Sequence, residues 1–279
     1  PHRSFEVYIN DYNAIENNFK VTTFGNKKLL RSEERNLKPN QYDILDLANV
    51  KYPKQFKNPK NIDTLSIIKI NEKERGFERA FFLASTFREF QTVTKNLIKK
   101  NKITKKSLKS AVIEEFVLGV QINFNFFYSQ VNKRLELIGT DTRRQTNLDG
   151  LLRLPAVYQE KITKKIELKY EEAGHIAVTS LESLLEPAFE AGEKFIEATK
   201  KLFPPGVVGP FSLQSVVTPG PPKKEIVVFD VSPRMPGSPG ISATPYTNYL
   251  FGKNISMGRR LAIEIKEAIQ KNKLNKITT

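Results

Sequence analysis

Lys69 stands inside an apolar run, Ser66 to Ile70 (SIIKI), where a lysine is out of place unless something holds its charge. An unpaired buried ammonium is costly, so either a partner meets it or the run is an edge strand from which Lys69 snorkels to water. A polar loop follows, Asn71 to Arg79 (NEKERGFER), and then a second apolar run, Ala80 to Ala84. Strand, basic glycine-containing loop and strand in that order suit a cover over phosphate groups, although a single glycine is a weak signal. Glu114 and Glu115 open the next apolar run, and Glu136, Asp141, Arg143, Arg144, Asn147 and Asp149 crowd the run after it. Carboxylates and arginines gathered at one end of a sheet form the floor of a site for a charged ligand, or the solvated face of an ordinary antiparallel sheet. Gln214 and Asp230 lie in two β-rich runs joined by TPGPPKK. A turn centred on Pro222 sets them directly opposite each other, with Cβ atoms ~5 Å apart on one face. Their oxygens suit a hard cation such as Mg2+, which takes oxygen ligands and shares phosphate oxygens. The other reading is a hydrogen-bonded Gln–Asp pair.

Three β-branched and aromatic runs, Val112 to Val117, Gln121 to Tyr128 and Leu135 to Gly139, read as consecutive antiparallel strands. Phe211 to Val217 and Ile226 to Val231 form the clearest hairpin, and Ser4 to Ile9 alternates weakly as a strand. Helical spacing appears after Pro39 (Ile44, Leu45, Leu47, Ala48), from Phe87 to Lys99, and briefly from Lys105 to Ala111. A long helix carries Leu184, Ala188, Ala191, Phe195, Ala198 and Leu202, and Pro204-Pro205-Gly206 stops it. Another runs from Ser256 to about Lys271, with Leu261, Ile265 and Ile269 as its inward stripe. Ala156 to Glu172 has no clear period and reads as a surface excursion.

Composition narrows the chemistry. The 279 residues are 39% hydrophobic, enough for a real core, and contain no cysteine, so disulfides and thiolate metal sites are excluded. Two histidines, His2 and His175, make a histidine-built zinc centre improbable. The net charge of +15 is spread along the chain rather than gathered with aromatics on one face. That argues for small polyanions such as nucleotides and against nucleic acid. No apolar run approaches the ~20 residues that span a bilayer, so no membrane partner and a cytoplasmic location are expected.

Seven segments carry a resemblance: PHRSF at Pro1, FGNKKLLR at Phe24, IEEFVLG at Ile113, FFYS at Phe126, ELIGTDTRRQTNLDGLLRLPA at Glu136, PPGVVGPFSLQS at Pro204 and SMGRRLAIEIK at Ser256. With the lysine strand, the cover loop and the hairpin, the chain looks like an ATP-grasp protein. It resembles, over its whole length, the archaeal 5-formaminoimidazole-4-carboxamide ribonucleotide synthetases, which are ATP- and formate-dependent ligases. The resemblance implies an α+β, two-lobed ATP-grasp fold over residues 37–279, with a smaller lobe of about 60–118 and a larger one of 119–279. Residues 1–36 would be the remnant of an N-terminal preATP-grasp α/β domain and a linker. ATP would lie between the lobe carrying Lys69 and the sheet carrying Gln214 and Asp230.

The implied roles follow position by position. Lys69, with Arg75 and Arg234, is the catalytic set, and Lys69 also holds ATP phosphates. Glu114, Glu115, Phe116 and Val117 receive adenine and ribose, while Glu136 and Asn147 line the nucleotide. Gln214 and Asp230 hold Mg2+, with Mn2+ as a substitute. His2, Ser4, Arg143 and His175 face the ribotide. Formate and aminoimidazole carboxamide ribotide are the implied substrates, and a homo-oligomer is expected. Departures are equally specific: a single glycine in the cover loop, Asp230 where glutamate is usual, Arg3 in place of glycine, and His175 in place of asparagine. The family's unit preceding PHRSF is missing, so a longer natural chain is expected. A paralogue using another carboxylate and amine, or a nucleotide-binding protein without turnover, stays open beside the ligase.

Overall fold

A computed structural model of the protein describes residues 3–70, 81–166, 172–220, 222–237 and 239–279. In chain order the elements are α1 (Arg3–Ile9), α2 (Gln41–Leu47), β1 (Ser66–Lys69), β2 (Phe82–Ala84), α3 (Phe87–Lys99), α4 (Lys105–Lys109), β3 (Val112–Glu115) and β4 (Val120–Ser129). There follow β5 (Arg134–Gln145), α5 (Thr146–Leu151), α6 (Ala156–Thr163), β6 (Glu172–Ala177), α7 (Leu185–Leu202), β7 (Gly209–Thr218), β8 (Glu225–Ser232), α8 (Tyr246–Phe251) and α9 (Met257–Gln270). No helix among the described residues is long and apolar enough to cross a membrane. The chain forms two compact units, one of Pro1–Tyr52, Leu118–Thr142 and Ala177–Thr279, the other of Pro53–Val117 and Arg143–Ile176. Arg143–Ile176, assigned from sequence to the larger lobe, therefore falls in the smaller unit.

In the first unit β4 lies between β5 and β7, and β8 pairs with β7, all antiparallel. The alternation of β4 decides its two faces, because successive side chains point to opposite sides. Ile122, Phe124 and Phe126 enter one core with Leu213, Phe211 and the buried residues of α7. Phe126 and Phe195 both stack on Phe211, with centroids 5.3 and 5.5 Å apart. α7 contributes Ala188, Phe195 and Ala198 as its sequence spacing requires.

Against the opposite face, α9 departs from expectation. Its buried positions are Met257, Arg260, Glu264 and Ala268, whereas Ile265 is 37% and Ile269 58% exposed. The reason is a compensated charge cluster. Arg260 donates to Glu136 Oε1 and to Glu264 Oε2, each at 3.0 Å, and its guanidinium lies 4.2 Å from the Phe127 ring centroid. Glu264 also accepts from Ser129 Oγ at 2.8 Å and from the Val131 backbone N–H at 3.0 Å. Paired with one another, these charges occupy the face that an apolar stripe would otherwise fill. Near the start, Arg3–Ile9 is helical rather than extended, and Asn10 in the left-handed region (φ 52°) ends it.

In the second unit β1 is the middle strand of a three-stranded antiparallel sheet, β2-β1-β3. β3 thus belongs to a different sheet from β4 and β5, and the three apolar runs are not one meander. Ile68, Phe82, Ala84 and Ile113 pack with Phe90 of α3 and, less deeply, with Val93 and Leu97. Thr86 caps α3 by accepting from the Glu89 N–H at 3.2 Å. The stretch read as a surface excursion, Ala156 to Glu172, holds the exposed helix α6, and β6, which begins at Glu172, pairs with β5.

Removing Arg260 alone leaves two buried carboxylates facing each other. Arg260→Ala should cost about 3–5 kcal/mol, lowering Tm by roughly 10 °C or more in thermal unfolding. Adding Glu136→Gln and Glu264→Gln with Arg260→Met should recover most of that loss.

Candidate functional site

Cross-strand register assembles a polar face on the first unit's sheet, opposite α7. Asp141 pairs with Asn123, Asn123 with Gln214, and Gln214 with Asp230, a row running straight across four strands. The next row on that face is Gly139, Asn125, Ser212 and Ser232. Register shifts make this possible. β5 carries one extra residue at Ile138, and β8 one at Phe229. Each bulge carries its strand from the apolar face to the polar one between Leu137 and Gly139, and between Val228 and Asp230. The expected Gln214–Asp230 pairing is present, although near the turn the register is Thr218 with Glu225, and the bulge restores the pairing.

Hydrogen bonds tie the rows together. Asn123 and Asn125 both donate Nδ2 to Asp141, at 3.1 and 2.5 Å, and Gln214 donates Nε2 to Ser232 Oγ at 3.1 Å. Arg35 Nη2 donates to Asp230 Oδ1 at 2.8 Å. Arg35 is carried there by the chain before α2, where Asn40 Nδ2 holds the Arg35 carbonyl at 2.8 Å. Gly139 has no room for a side chain, since a Cβ would lie 2.6 Å from both the Ile241 Cβ and its carbonyl oxygen. Gln214, Asp230 and Ser232 are hard oxygen donors that fit Mg2+ or Mn2+. Among the described residues no cluster of three or more His, Cys, Asp or Glu could hold a metal alone.

In the second unit Lys69 and Glu114 form a salt bridge in which both side chains are buried, at 5% and 1% exposure. Lys69 is on the central strand, so the edge-strand reading fails: the charge is met, not snorkelled. At the end of β3 the Glu115 N–H donates to Lys54 O and the Phe116 N–H to Leu65 O, both at 2.8 Å. The stretch from Glu114 to Val117 is thereby anchored through its backbone on the strand next to Lys69.

Arg143, at the end of β5, meets Glu172 of β6 at 3.2 Å, and His175 contacts the same carboxylate. Two of the residues expected to face the ribotide are thus brought together through Glu172. Asn147 lies on α5, where Asp149 receives Arg144 at 3.1 Å. Ser4 lies in α1, whereas His2, Arg75 and Arg79 are outside the described residues. Two expected site residues are held in buried ion pairs. Glu136 is fully buried and held by Arg260 and Arg134, so it is built into the core under α9 rather than open to a nucleotide. Arg234 is buried with Glu6 Oε2 and Glu33 Oε2, each at 3.0 Å. Burial works against its charge, and Glu33 and Glu6 more than offset that, so its pKa is raised. Its guanidinium ties α1 to the turn before Arg35. Sequence reading missed Arg35, Asn123, Asn125, Ser212 and Ser232. The available signal was asparagine at alternate positions of an aromatic strand, where that residue is depleted.

Family models described as "Domain of unknown function (DUF1297)" and "Protein of unknown function (DUF1246)" match residues 89–279 and 1–56. The 5-formaminoimidazole-4-carboxamide-1-(beta)-D-ribofuranosyl 5'-monophosphate synthetase of Methanocaldococcus jannaschii is 38% identical, covering 99% of this chain and 74% of that protein. Its counterpart in Methanopyrus kandleri is 37% identical over 100% of this chain and 75% of its own. The chain belongs to this synthetase family. The crystal structure of an IMP biosynthesis protein PurP from Thermococcus kodakaraensis superposes with a TM-score of 0.72 at 26% identity, covering 100% of this chain and 79% of that one. D-alanine--D-alanine ligase from Bacillus anthracis, complexed with ATP, reaches a TM-score of 0.51 at 14% identity over 92% of this chain and 73% of that one, a likeness of fold alone. The synthetase family has the α+β ATP-grasp fold, and the chain is an ATP-grasp ligase.

The buried Lys69–Glu114 pair sets a stability test for the synthetase. Lys69→Ala strands a carboxylate that is 1% exposed, and thermal unfolding should show a loss of about 3–5 kcal/mol. Lys69→Met with Glu114→Gln should restore most of it.

Proposed function

We propose that the chain is an ATP- and formate-dependent ligase that converts aminoimidazole carboxamide ribotide to its 5-formamido derivative in purine biosynthesis. The observation that carries this reading is the match over 99% of the chain, at 38% identity, to a synthetase named for that product. Joining formate to an aromatic amine needs an activated acyl group. Phosphorylation of formate by ATP supplies one as formyl phosphate, and the ribotide amine displaces the phosphate.

Gln214 and Asp230, with Ser232 behind them, would hold Mg2+, which when bound neutralises charge on the phosphate oxygens. Lys69 would meet those oxygens by exchanging its Glu114 partner for phosphate. The anchored stretch from Glu114 to Val117 would take adenine and ribose, and Arg143 and His175 the ribotide. Phosphoryl transfer of this kind rests on positioning and charge neutralisation, not on a side chain of extreme pKa. A site with no cysteine and few histidines suits it.

ADP release measured with and without formate and ribotide tests the reading. Turnover should require formate and rise with ribotide, and Asp230→Asn should abolish it while melting stays within a few degrees. Turnover with another carboxylate but not formate would mark a paralogue. Nucleotide binding without ADP release would mark a regulatory protein.

A further inference from the structure

Asn123 sits in the middle of the polar row, between Asp141 on β5 and Gln214 on β7. It is 3% exposed, and its Oδ1 atom has no hydrogen-bond partner among the described residues. A buried carbonyl oxygen left without a donor is expensive, and such groups in native proteins need an explanation. Its orientation is set by Asp141. A carboxylate only accepts, and this one takes Nδ2 of Asn123 at 3.1 Å and Nδ2 of Asn125 at 2.5 Å. The amide of Asn123 therefore cannot turn around without losing its bond to Asp141. Its carbonyl end is committed to whatever arrives on the polar face.

What can arrive is restricted by charge. Asp141 lies beside the oxygen, so an anion such as formate or a phosphate group is repelled there. A partner must bring N–H groups or positive charge. We propose that Asn123 is a specificity-determining residue that accepts a hydrogen bond from an N–H group of the amine substrate, with Asp141 and Asn125 as positioning residues that lock its orientation. This rests on the ligase reading, whose ribotide carries two N–H sources, the 5-amino group and the 4-carboxamide. Because the oxygen is buried, binding must part the side chains over the row before the donor reaches it, as substrate-driven rearrangement does in many enzymes.

The same face makes the contact useful. Gln214 and Asp230 lie on one side of Asn123, where the activated formyl group would be held. A ribotide N–H held by Asn123 Oδ1 would present the amine next to that group. Asn123 would act in recognition and orientation, and no proton transfer is assigned to it.

Calorimetric binding on the natural full-length chain separates the outcomes, with the ribotide, its 4-carboxylate analogue, ADP and Mn2+ as probes. Asn123→Leu removes the acceptor, and Asp141→Asn lets the amides re-pair so that Asn123 Oδ1 is consumed internally. Both variants should bind the ribotide about tenfold or more weakly, the scale of one lost buried hydrogen bond, with ADP and Mn2+ affinities unchanged. If the donor is the 5-amino group, the carboxylate analogue should show the same loss. If it is the carboxamide, the analogue should bind poorly to every form of the protein. Asp141→Asn keeps shape and lowers charge, so it tests the idea even if Asn123→Leu fails to fold. Unchanged ribotide affinity in a folded variant would overturn the proposal and leave Oδ1 as a structural orphan. A loss of Mn2+ affinity instead would reassign Asn123 to the cation. Absence of ribotide binding by the unaltered protein would count against the ligase reading itself.

Discussion

Two extra residues, Ile138 in β5 and Phe229 in β8, decide which side of the sheet carries its carboxylates. Without its bulge, β5 would put Asp141 on the same side as Leu135 and Leu137, against the aromatic cluster of Phe126, Phe195 and Phe211. The same counting holds in β8, where Val228 is fully buried in that cluster and Asp230, two residues on, would follow it. An ionised side chain in such a core carries a large desolvation penalty, so slipping either register is strongly disfavoured. The bulges therefore do two things at once. They keep the core apolar, and they bring Asp141 and Asp230 into line with Asn123 and Gln214 in one row.

Elsewhere three sets of buried charges are held in ion pairs. Arg260 sits with Glu136 and Glu264 beneath α9, Arg234 with Glu6 and Glu33, and Lys69 with Glu114. Pairs of this kind add little net stability over well-packed apolar residues of the same volume, but losing one partner is costly. Their effect is to fix position. Arg234 fastens α1 and the turn containing Glu33 beside the end of β8, and two residues after Glu33 the chain delivers Arg35 to Asp230. A structural ion pair thus places the cation that touches the polar row.

Much of the skeleton was legible because it depends on local pattern. α3 begins and ends at Phe87 and Lys99 as the spacing indicates, the α7 stripe obeys simple periodicity, and the β7–β8 hairpin does so from its turn as far as the bulge at Phe229. Glu136 was legible as a charge inside a strand and Arg234 only through the resemblance, but neither as a member of a buried ion pair. A charged residue in a strand or a loop looks the same in sequence whether it meets a ligand or a partner 124 or 228 positions away. The α9 stripe misled for the same reason, since Arg260 and Glu264 occupy the inward face only because Glu136 lies opposite. Asn123 and Asn125 were legible in principle, but their importance depends on the bulge at Ile138. A bulge is a tertiary outcome with no strong local signal here.

The electrostatics of the row follow from its short membership. Asp141 and Asp230 bring two carboxylates, Arg35 returns one positive charge at Asp230, and Gln214 and Asn123 are neutral. Asp141 keeps its negative charge while accepting from two neutral amides, and Arg35 offsets that of Asp230, so these groups together bring little more than one negative charge to a cation. A divalent ion arriving alone would meet a weak site. An ion arriving with a nucleotide would bring phosphate oxygens that complete its shell and give Arg35 a second anionic partner. Affinity for ion and nucleotide must then rise together, because linkage makes each favour the other by the same factor. On the proposed reading, the shortage of carboxylates in this row is what makes the site respond to the metal–nucleotide complex and not to the free ion.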